Sequence, residues 1–584
     1  MDRQAEERLL KLSGPEILIK SLAAEGVTTI FGHPGGILLL APDTLGDYPF
    51  QPILCRHEQV ATHAAEGYYK ATGRVGTVMV TSGPGAANCV TGITDALIDS
   101  MAIVVLSGQG PTAVMGSDVF QEADLVGTTR ACTKHNFLAL KTEDIPRLVK
   151  EAYHISRSGR PGPVLIDLPQ DVTMGHGEFK GYPKTVSIRG YNPQISGHPG
   201  QIKRAAELIA RAKRPVIYGG GGVIHSDASN ELQELVDITQ VPTTLTLMGL
   251  GALPTDHPLW LGMLGTHGTY WANMCMLHCD VMIAIGCRFD DRATGKVPEF
   301  GKQCKIIHVN IDPTSIQKNV KVDVPIVGDV KRVLRELNNE LRNVGRNWAK
   351  ELEDWYGQIE EWRKKHPLRY EQKEGIIKPQ YAIDMIFRLT EDYDPIISTG
   401  VGQHQVWAAQ VYRGRNPRSW LTSGGLGTMG YGFPAALGAQ AAFPEGLVLN
   451  IEGDGCFQIG LPDLCTLVEY NLPVKTFVIN NRGLGMAREW QRIFHSRRSS
   501  QREVTHQPDF VKLAEAYGVA GMRIERPEEV KAGIEKAINT AGPVVVDVVV
   551  ERDESCLPTT MAGGATHIID SREPSRDRLF DTWS

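Results

Sequence analysis

Residues Val448–Gly460 read VLNIEGDGCFQIG, and this stretch decides how the chain folds. An apolar run, VLNI, stops at Glu452 and gives way to Gly453, Asp454 and Gly455. A short apolar run bounded by glycines reads as a buried strand. Beyond it Leu464, Leu467 and Val468 recur at i, i+3 and i+4, the spacing of an amphipathic helix. A second apolar run, VKTFVI, ends in Asn480–Asn481. One strand–helix–strand unit brings Asp454 and Asn481 to neighbouring strand ends, on the edge of a parallel sheet where ligands bind. A carboxylate and an amide oxygen facing one point are hard ligands that suit Mg²⁺, which completes its shell with phosphate oxygens. The glycines let the backbone approach, and a helix start favours an anion. Gly-Asp-Gly alone reads equally as a strand-end turn with an aspartate cap. The Asn pair, at this spacing and in this strand context, favours a metal–phosphate site.

The same alternation runs outward along the chain. Residues 376–555 hold strands at Ile396–Ser398, Val448–Ile451, Val474–Ile479 and Val544–Val550. Residues 1–180 hold a helix near Pro15–Glu25 and strands at Thr28–Phe31, Val75–Thr81 and Ile103–Leu106. A Gly/Pro-rich stretch, GHGEFKGYPKTVSIRGYNPQISGHPG, reads as a linker to residues 195–345, with strands Val216–Tyr218, Val281–Ile285 and Lys305–Val309. A charged segment (about 346–375) separates this block from the last. The fold class is therefore α/β, with three doubly wound parallel-sheet domains. Residues 556–584 form a tail, and its polar end DSREPSRDRLFDTWS reads as a surface extension.

Composition agrees. A chain of 584 residues is too long for one core. With 42% hydrophobic and 22% charged residues it is globular. A net charge of −6 gives no reason to expect nucleic acid or an anionic membrane, and no apolar run is long enough to span one. The N-terminus, MDRQAEERLLKLSGPE, lacks an apolar signal core, so a cytoplasmic location is expected. The ten cysteines form no CxxC pair. Cys275 and Cys279, flanking His278, read as buried side chains in a reducing compartment and not as a metal site.

Gly-Asp-Gly followed by Asn-Asn resembles the signature of the thiamine diphosphate enzymes. That resemblance implies Mg²⁺ held by Asp454, Asn481 and the Gly483 carbonyl, with Gly453, Gly455 and Cys456 around the diphosphate. Glu58, in ILCRHEQVATHAAEGYYKATG, resembles the glutamate that bonds to N1′ of the aminopyrimidine and drives proton exchange there. Pro34 and Gly35, in FGHPGG, fall beside the cofactor by the same analogy. In TGVGQHQVWAAQ, Val401, Gly402, Gln403 and His404 resemble diphosphate-binding residues. In SGGLGTMGYGFPAALGA, Gly427 and Met429 resemble the carbonyl and the thioether wedge that hold the cofactor bent. In this family Glu58 and Asp454 meet across a chain interface, which implies a homodimer or homotetramer.

Residues 13–555 further resemble the acetohydroxyacid (acetolactate) synthase catalytic-subunit family, through VTSGPGAAN, DVFQEADLVG, SGRPGPVLIDLPQDV, TLMGLG, GCRFDDRATGK and GLGMAREWQRIF. The resemblance implies an FAD-binding middle domain contacting the flavin through Arg160, Gly220, Gly221, Gly222, Thr246, Leu247, Met248, His267, Gly286, Arg288, Asp290, Arg292, Asp312 and Asp329. It implies decarboxylation of pyruvate and transfer of the hydroxyethyl group to a second 2-oxo acid, within branched-chain amino acid biosynthesis. Arg292 would grip the acceptor carboxylate, Trp490 would favour 2-oxobutyrate over pyruvate, and Met486, Phe120, Gln109 and Lys134 would line the substrate channel. A small regulatory subunit is a further possible partner. The chain departs from the family's usual pattern at Ile37, Ala87, Ala102 and Thr266 and in CLPTTMAGGA, and the changes at Ile37, Thr266 and CLPTTMAGGA bear on substrate choice. Other thiamine diphosphate carboligases, decarboxylases and FAD-dependent oxidases are the alternative. A non-catalytic homologue would lack Glu58, Asp454 or Asn481, and all three are present.

Overall fold

The computed structural model describes residues 10–33, 35, 50–494, 506–560 and 568–569. Among them, three six-stranded parallel sheets stand in chain order. The first comprises β1 (Thr29–His33), β2 (Gln51–Leu54), β3 (Gly76–Val80), β4 (Ile103–Gln109), β5 (His135–Leu138) and β6 (Val164–Pro169), in the order β2-β1-β3-β4-β6-β5. The central sheet comprises β7 (Pro215–Gly219), β8 (Thr243–Leu245), β9 (Trp260–Met263), β10 (Val281–Ile285), β11 (Lys305–Asn310) and β12 (Val324–Val327), in the order β9-β8-β7-β10-β11-β12. The third comprises β13 (Ile396–Thr399), β14 (Trp420–Leu421), β15 (Val448–Gly453), β16 (Lys475–Asn480), β17 (Ala520–Ile524) and β18 (Val544–Val549), in the order β14-β13-β15-β16-β18-β17. The outer sheets thus share one strand order. The central one has the dinucleotide-fold order 3-2-1-4-5-6. Their inner strands are buried along their length, as strands covered by helices on both faces must be.

Each sheet has a point where the chain reverses direction across it: β1/β3, β7/β10 and β13/β15. Crossovers leave such a pair toward opposite sides, so the loops part and a crevice opens at the carboxyl ends. Register brings the key stretch there. Gly453 lies opposite Ile479, so Asp454 and Asn480–Asn481 emerge side by side.

The first and third domains share one core. Helix α1 (Glu58–Thr72) lies against the Ala/Gly-rich helix α2 (Gly432–Ala442), and Ala64, Tyr68, Phe433 and Leu437 belong to one buried cluster. The backbones approach closely enough that a Cβ on Gly438 would stand 1.8 Å from the Ala64 carbonyl oxygen.

Two sequence expectations change. The linker begins inside the first domain, because His176–Phe179 pairs antiparallel with Leu10–Ser13. The helix after Asp454 is broken into short pieces; Leu464 and Leu467 are buried, but Val468 is exposed. The first residue of the tail, Cys556, is buried in the core of the third domain. The polar end of the tail lies outside the described residues. Among the described residues, no helix is long and apolar enough to cross a membrane.

Candidate functional site

The loops leaving β13, β15 and β16 enclose a cavity of about 640 Å³. Val401, Gly402, Gln403, His404, Gly427, Met429, Gly453, Asp454, Gly455, Cys456, Asn481 and Gly483 all line it, as do Met486 and Trp490. Gln403 and His404 open helix α3 (Gln403–Val411), and Met486 and Trp490 stand on helix α4 (Gly485–Phe494). Asp454 is 3% exposed. Its Oδ2 accepts the Gly483 N–H at 2.8 Å and a bond from Gln507 Nε2, and its Oδ1 accepts the Gly455 N–H at 3.1 Å. Burial pushes its carboxyl above the ordinary range, and the Gln507 and backbone donors pull it back. Asn481 donates Nδ2 to Gln403 Oε1 at 3.0 Å, while its Oδ1 is buried with no protein partner. An orphaned amide oxygen beside a buried carboxylate is an arrangement that a hard cation satisfies.

His404 Nε2, on the wall of this cavity, and Glu452 Oε2 are also buried without partners. Burial brings the His404 imidazole down to about 3, so it is neutral. It pushes the Glu452 carboxyl up to about 8, even though Oε1 accepts the Phe433 N–H at 2.8 Å. Met429 is 38% exposed, so its thioether faces open space and not the core.

A second cavity, of about 1170 Å³, opens at the β7/β10 switch point. Arg160, Gly220, Gly221, Gly222, Thr246, Leu247, Met248, His267, Gly286, Arg288, Asp290, Arg292 and Asp329 line it. Asp312 stands beside it, paired with Arg160 at 3.4 Å. The glycine run is required by packing as well as by any ligand: a Cβ on Gly220 would lie 2.5 Å from the Gly286 carbonyl oxygen, and one on Gly222 would lie 2.6 Å from Gly286 Cα. Burial holds His267 near 4, hence neutral. The space is large for a small-molecule pocket and, with five arginines on its wall, suits a phosphate-bearing dinucleotide.

The two cavities share Val401, Gly402, Gly427, Met486 and Trp490. At their junction the Arg292 guanidinium lies 5.4 Å from the Trp490 ring centroid. The Thr266 N–H and Oγ1 hold the Arg292 carbonyl at 2.7 and 3.1 Å.

Other expected residues belong to the first domain and line neither cavity. Glu58 opens α1, is 8% exposed, and accepts Asn88 Nδ2 at 2.9 Å. Gln109, ending β4, donates to the Ala123 carbonyl at 2.7 Å and to Asp167 at 3.0 Å. Lys134 turns its Nζ to the Ile155 and Ser158 carbonyls, the latter at 2.7 Å, and burial lowers its ammonium to about 8. Phe120 is 81% exposed. Gly35 follows β1 beside Thr81, whereas Pro34 and Ile37 lie outside the described residues.

Three family models match the chain in turn: thiamine pyrophosphate enzyme, N-terminal TPP binding domain (12–128); central domain (202–337); and C-terminal TPP binding domain (400–548). Acetolactate synthase isozyme 3 large subunit of Escherichia coli K12 is 45% identical over 559 residues, covering 95% of this chain and 97% of the relative. The probable acetolactate synthase large subunit of Methanocaldococcus jannaschii is 47% identical over 566 residues (96% and 95%), and the acetolactate synthase of Mycobacterium bovis is 47% identical over 581 (98% and 93%). The chain belongs to the acetolactate synthase large-subunit family. It is therefore a thiamine diphosphate-dependent enzyme of the kind that transfers a hydroxyethyl group.

Within this acetolactate synthase fold several neighbours of the site carry no local sequence signal. Gln507 reaches Asp454 from 53 residues downstream. Asp99, from the first domain, accepts the N–H groups of Gly424 and Gly425 at 2.7 and 2.8 Å and so fixes the loop that presents Gly427. Glu452 was visible only as the residue before Gly-Asp-Gly. Its role as a buried acid depends on Gly400 and Gly432, where a Cβ would lie 2.1 and 2.4 Å from its carboxyl oxygens.

Proposed function

We propose that this chain decarboxylates pyruvate on thiamine diphosphate and transfers the hydroxyethyl unit to a second 2-oxo acid, pyruvate or 2-oxobutyrate, in branched-chain amino acid biosynthesis. The observation that carries this reading is the unpartnered Asn481 Oδ1 beside buried Asp454 at a sheet switch point. Asp454, Asn481 and the Gly483 carbonyl would hold Mg²⁺, and with it the cofactor diphosphate. Val401–His404 and Gly453–Cys456 would surround that diphosphate. Gly427 and Met429 would hold the cofactor bent, consistent with a thioether that faces the cavity. Thiamine diphosphate, when bound, supplies an acidic carbon and an electron sink for decarboxylation.

Glu58 would hold the proton at N1′ of the aminopyrimidine. It lines neither cavity within one chain. Glu58, Gln109 and Gly35 all stand at the carboxyl ends of the first sheet, so a second copy offering that edge would complete the site. A homodimer or homotetramer follows. Lys134 and Phe120 would reach the substrate channel only from that second copy. Arg292 would grip the acceptor carboxylate beside Trp490 and Met486. The larger cavity would take FAD. Because its relatives are named large subunits, a small regulatory subunit is a further partner. The free state of all ten cysteines supports a reducing, cytoplasmic setting.

Asp454→Ala tests the core of this reading. Binding of thiamine diphosphate to the parent chain should depend on Mg²⁺, and the variant should bind it weakly at any Mg²⁺ concentration. An unchanged Mg²⁺ dependence would remove Asp454 from the site.

A further inference from the structure

Glu489 stands one residue before Trp490 on α4 and is 3% exposed. Its Oε2 accepts Gln403 Nε2 at 2.6 Å, and its Oε1 accepts the Cys556 N–H at 2.9 Å. Gln403 Nε2 also donates to the Glu554 carbonyl at 2.9 Å. Both acceptors lie on one side of the Gln403 amide, so its Oε1 must face the other way, where it accepts Asn481 Nδ2 at 3.0 Å. That bond turns Asn481 Oδ1, the buried oxygen without a partner, away from Gln403. The two ends of an amide are nearly alike in shape, and its orientation is set by its partners. A flipped Gln403 would set its oxygen against a carboxylate and a carbonyl, and its Nε2 against Asn481 Nδ2. The relay is also sterically enclosed: a Cβ on Gly485 would stand 1.9 Å from Gln403 Oε1 and 2.4 Å from Asn481 Nδ2.

We propose that Glu489 is a positioning residue that, through Gln403, fixes the Asn481 amide with its oxygen toward the magnesium site. The inference rests on the reading of Asp454 and Asn481 as magnesium ligands. It joins the helix carrying Met486 and Trp490, and the buried segment at Glu554–Cys556, to the orientation of a metal ligand.

The test uses the full chain with Mg²⁺ and thiamine diphosphate. The readout is the Mg²⁺ concentration that half-saturates cofactor binding, followed by tryptophan fluorescence, alongside thermal unfolding without cofactor. Glu489→Ala should raise that concentration about 10- to 100-fold, as removal of an outer-shell partner does. In an Asn481→Asp background it should add less than about threefold, because a carboxylate has no wrong way round. If Glu489→Ala does not fold, Glu489→Met fills similar space with no acceptor and carries the same expectation. An unchanged half-saturation, or an equal loss in the Asn481→Asp background, overturns the relay and leaves the ligand reading standing. An Asn481→Ala variant with parental Mg²⁺ affinity would overturn the ligand reading and the relay together.

Discussion

Replacing Gly438 by alanine should separate two effects that usually travel together. Alanine in a helix interior is favoured over glycine by about 1 kcal/mol. At Gly438 the added Cβ would stand 1.8 Å from the Ala64 carbonyl oxygen, and real Cβ contacts essentially never fall under 3.0 Å. Helices α1 and α2 must therefore part by at least about 1.2 Å, the difference between those distances. The obstacle is backbone, so no side chain can rotate away. Overpacking of this kind costs about 1–3 kcal/mol, which exceeds the propensity gain. The displacement also moves Glu58 at the start of α1, and misplacing a catalytic group by about 1 Å costs on the order of 100-fold in rate. Gly357, exposed on the helix Glu353–Lys365, is the control, because a Cβ there meets nothing within 4 Å. Gly357→Ala should raise the thermal midpoint slightly and leave activity alone. Gly438→Ala should lower the midpoint and slow proton–deuterium exchange at the cofactor's C2. A Gly438→Ala chain as stable as the parent, exchanging at the parental rate, would refute the close packing of α1 on α2 as the device that places Glu58.

Other outcomes follow from the same geometry. Burial, with Lys70 and Arg418 nearby, lowers His225 to about 3, below its ordinary 6.5. The unfolded chain is then protonated first, so stability is complete above pH 6.5 and is lost as pH falls toward 3. His225→Gln should spare about 2 kcal/mol of that loss at pH 5, read as a smaller drop in thermal midpoint between pH 7 and pH 5. Asp99→Ala removes the acceptor of the part-buried Gly424 and Gly425 N–H groups and should cost about 0.5–1.5 kcal/mol for each, with weaker flavin and cofactor binding in fluorescence titrations. Trp490→Leu should reduce the preference for 2-oxobutyrate over pyruvate about tenfold or more in a competition assay, with decarboxylation little changed.

Much of the site was legible because its residues sit at strand ends, and strand ends are marked by glycine. Val281–Ile285 begins and ends where the apolar run does, and the runs before Asp454 and Asn481 end within two residues of the observed strands. The central domain's different strand order was not legible, because the order of strands in a sheet depends on which crossover turns which way, and alternation alone does not encode that. Residues that act across long stretches of chain were hidden for a related reason. Asp99 and Gln507 lie in unremarkable stretches, Glu489 lies in GLGMAREWQRIF with no role read for it, and all three gain their roles only when distant segments meet. By propensity alone, Gly67 in α1 and Gly438 in α2 are weak helix positions. Their reason is the Ala64 and Ala435 backbones, which a Cβ on Gly438 or Gly67 would strike. Val468 fits the helical period but is exposed, in a helix of only six residues that ends before its second turn is complete.

The most direct test of the whole account is the product formed from pyruvate alone. Purified chain with thiamine diphosphate, Mg²⁺ and FAD should release carbon dioxide and acetolactate, with no net change in the flavin spectrum. Acetaldehyde, or acetyl phosphate with flavin reduction, in place of acetolactate would contradict it.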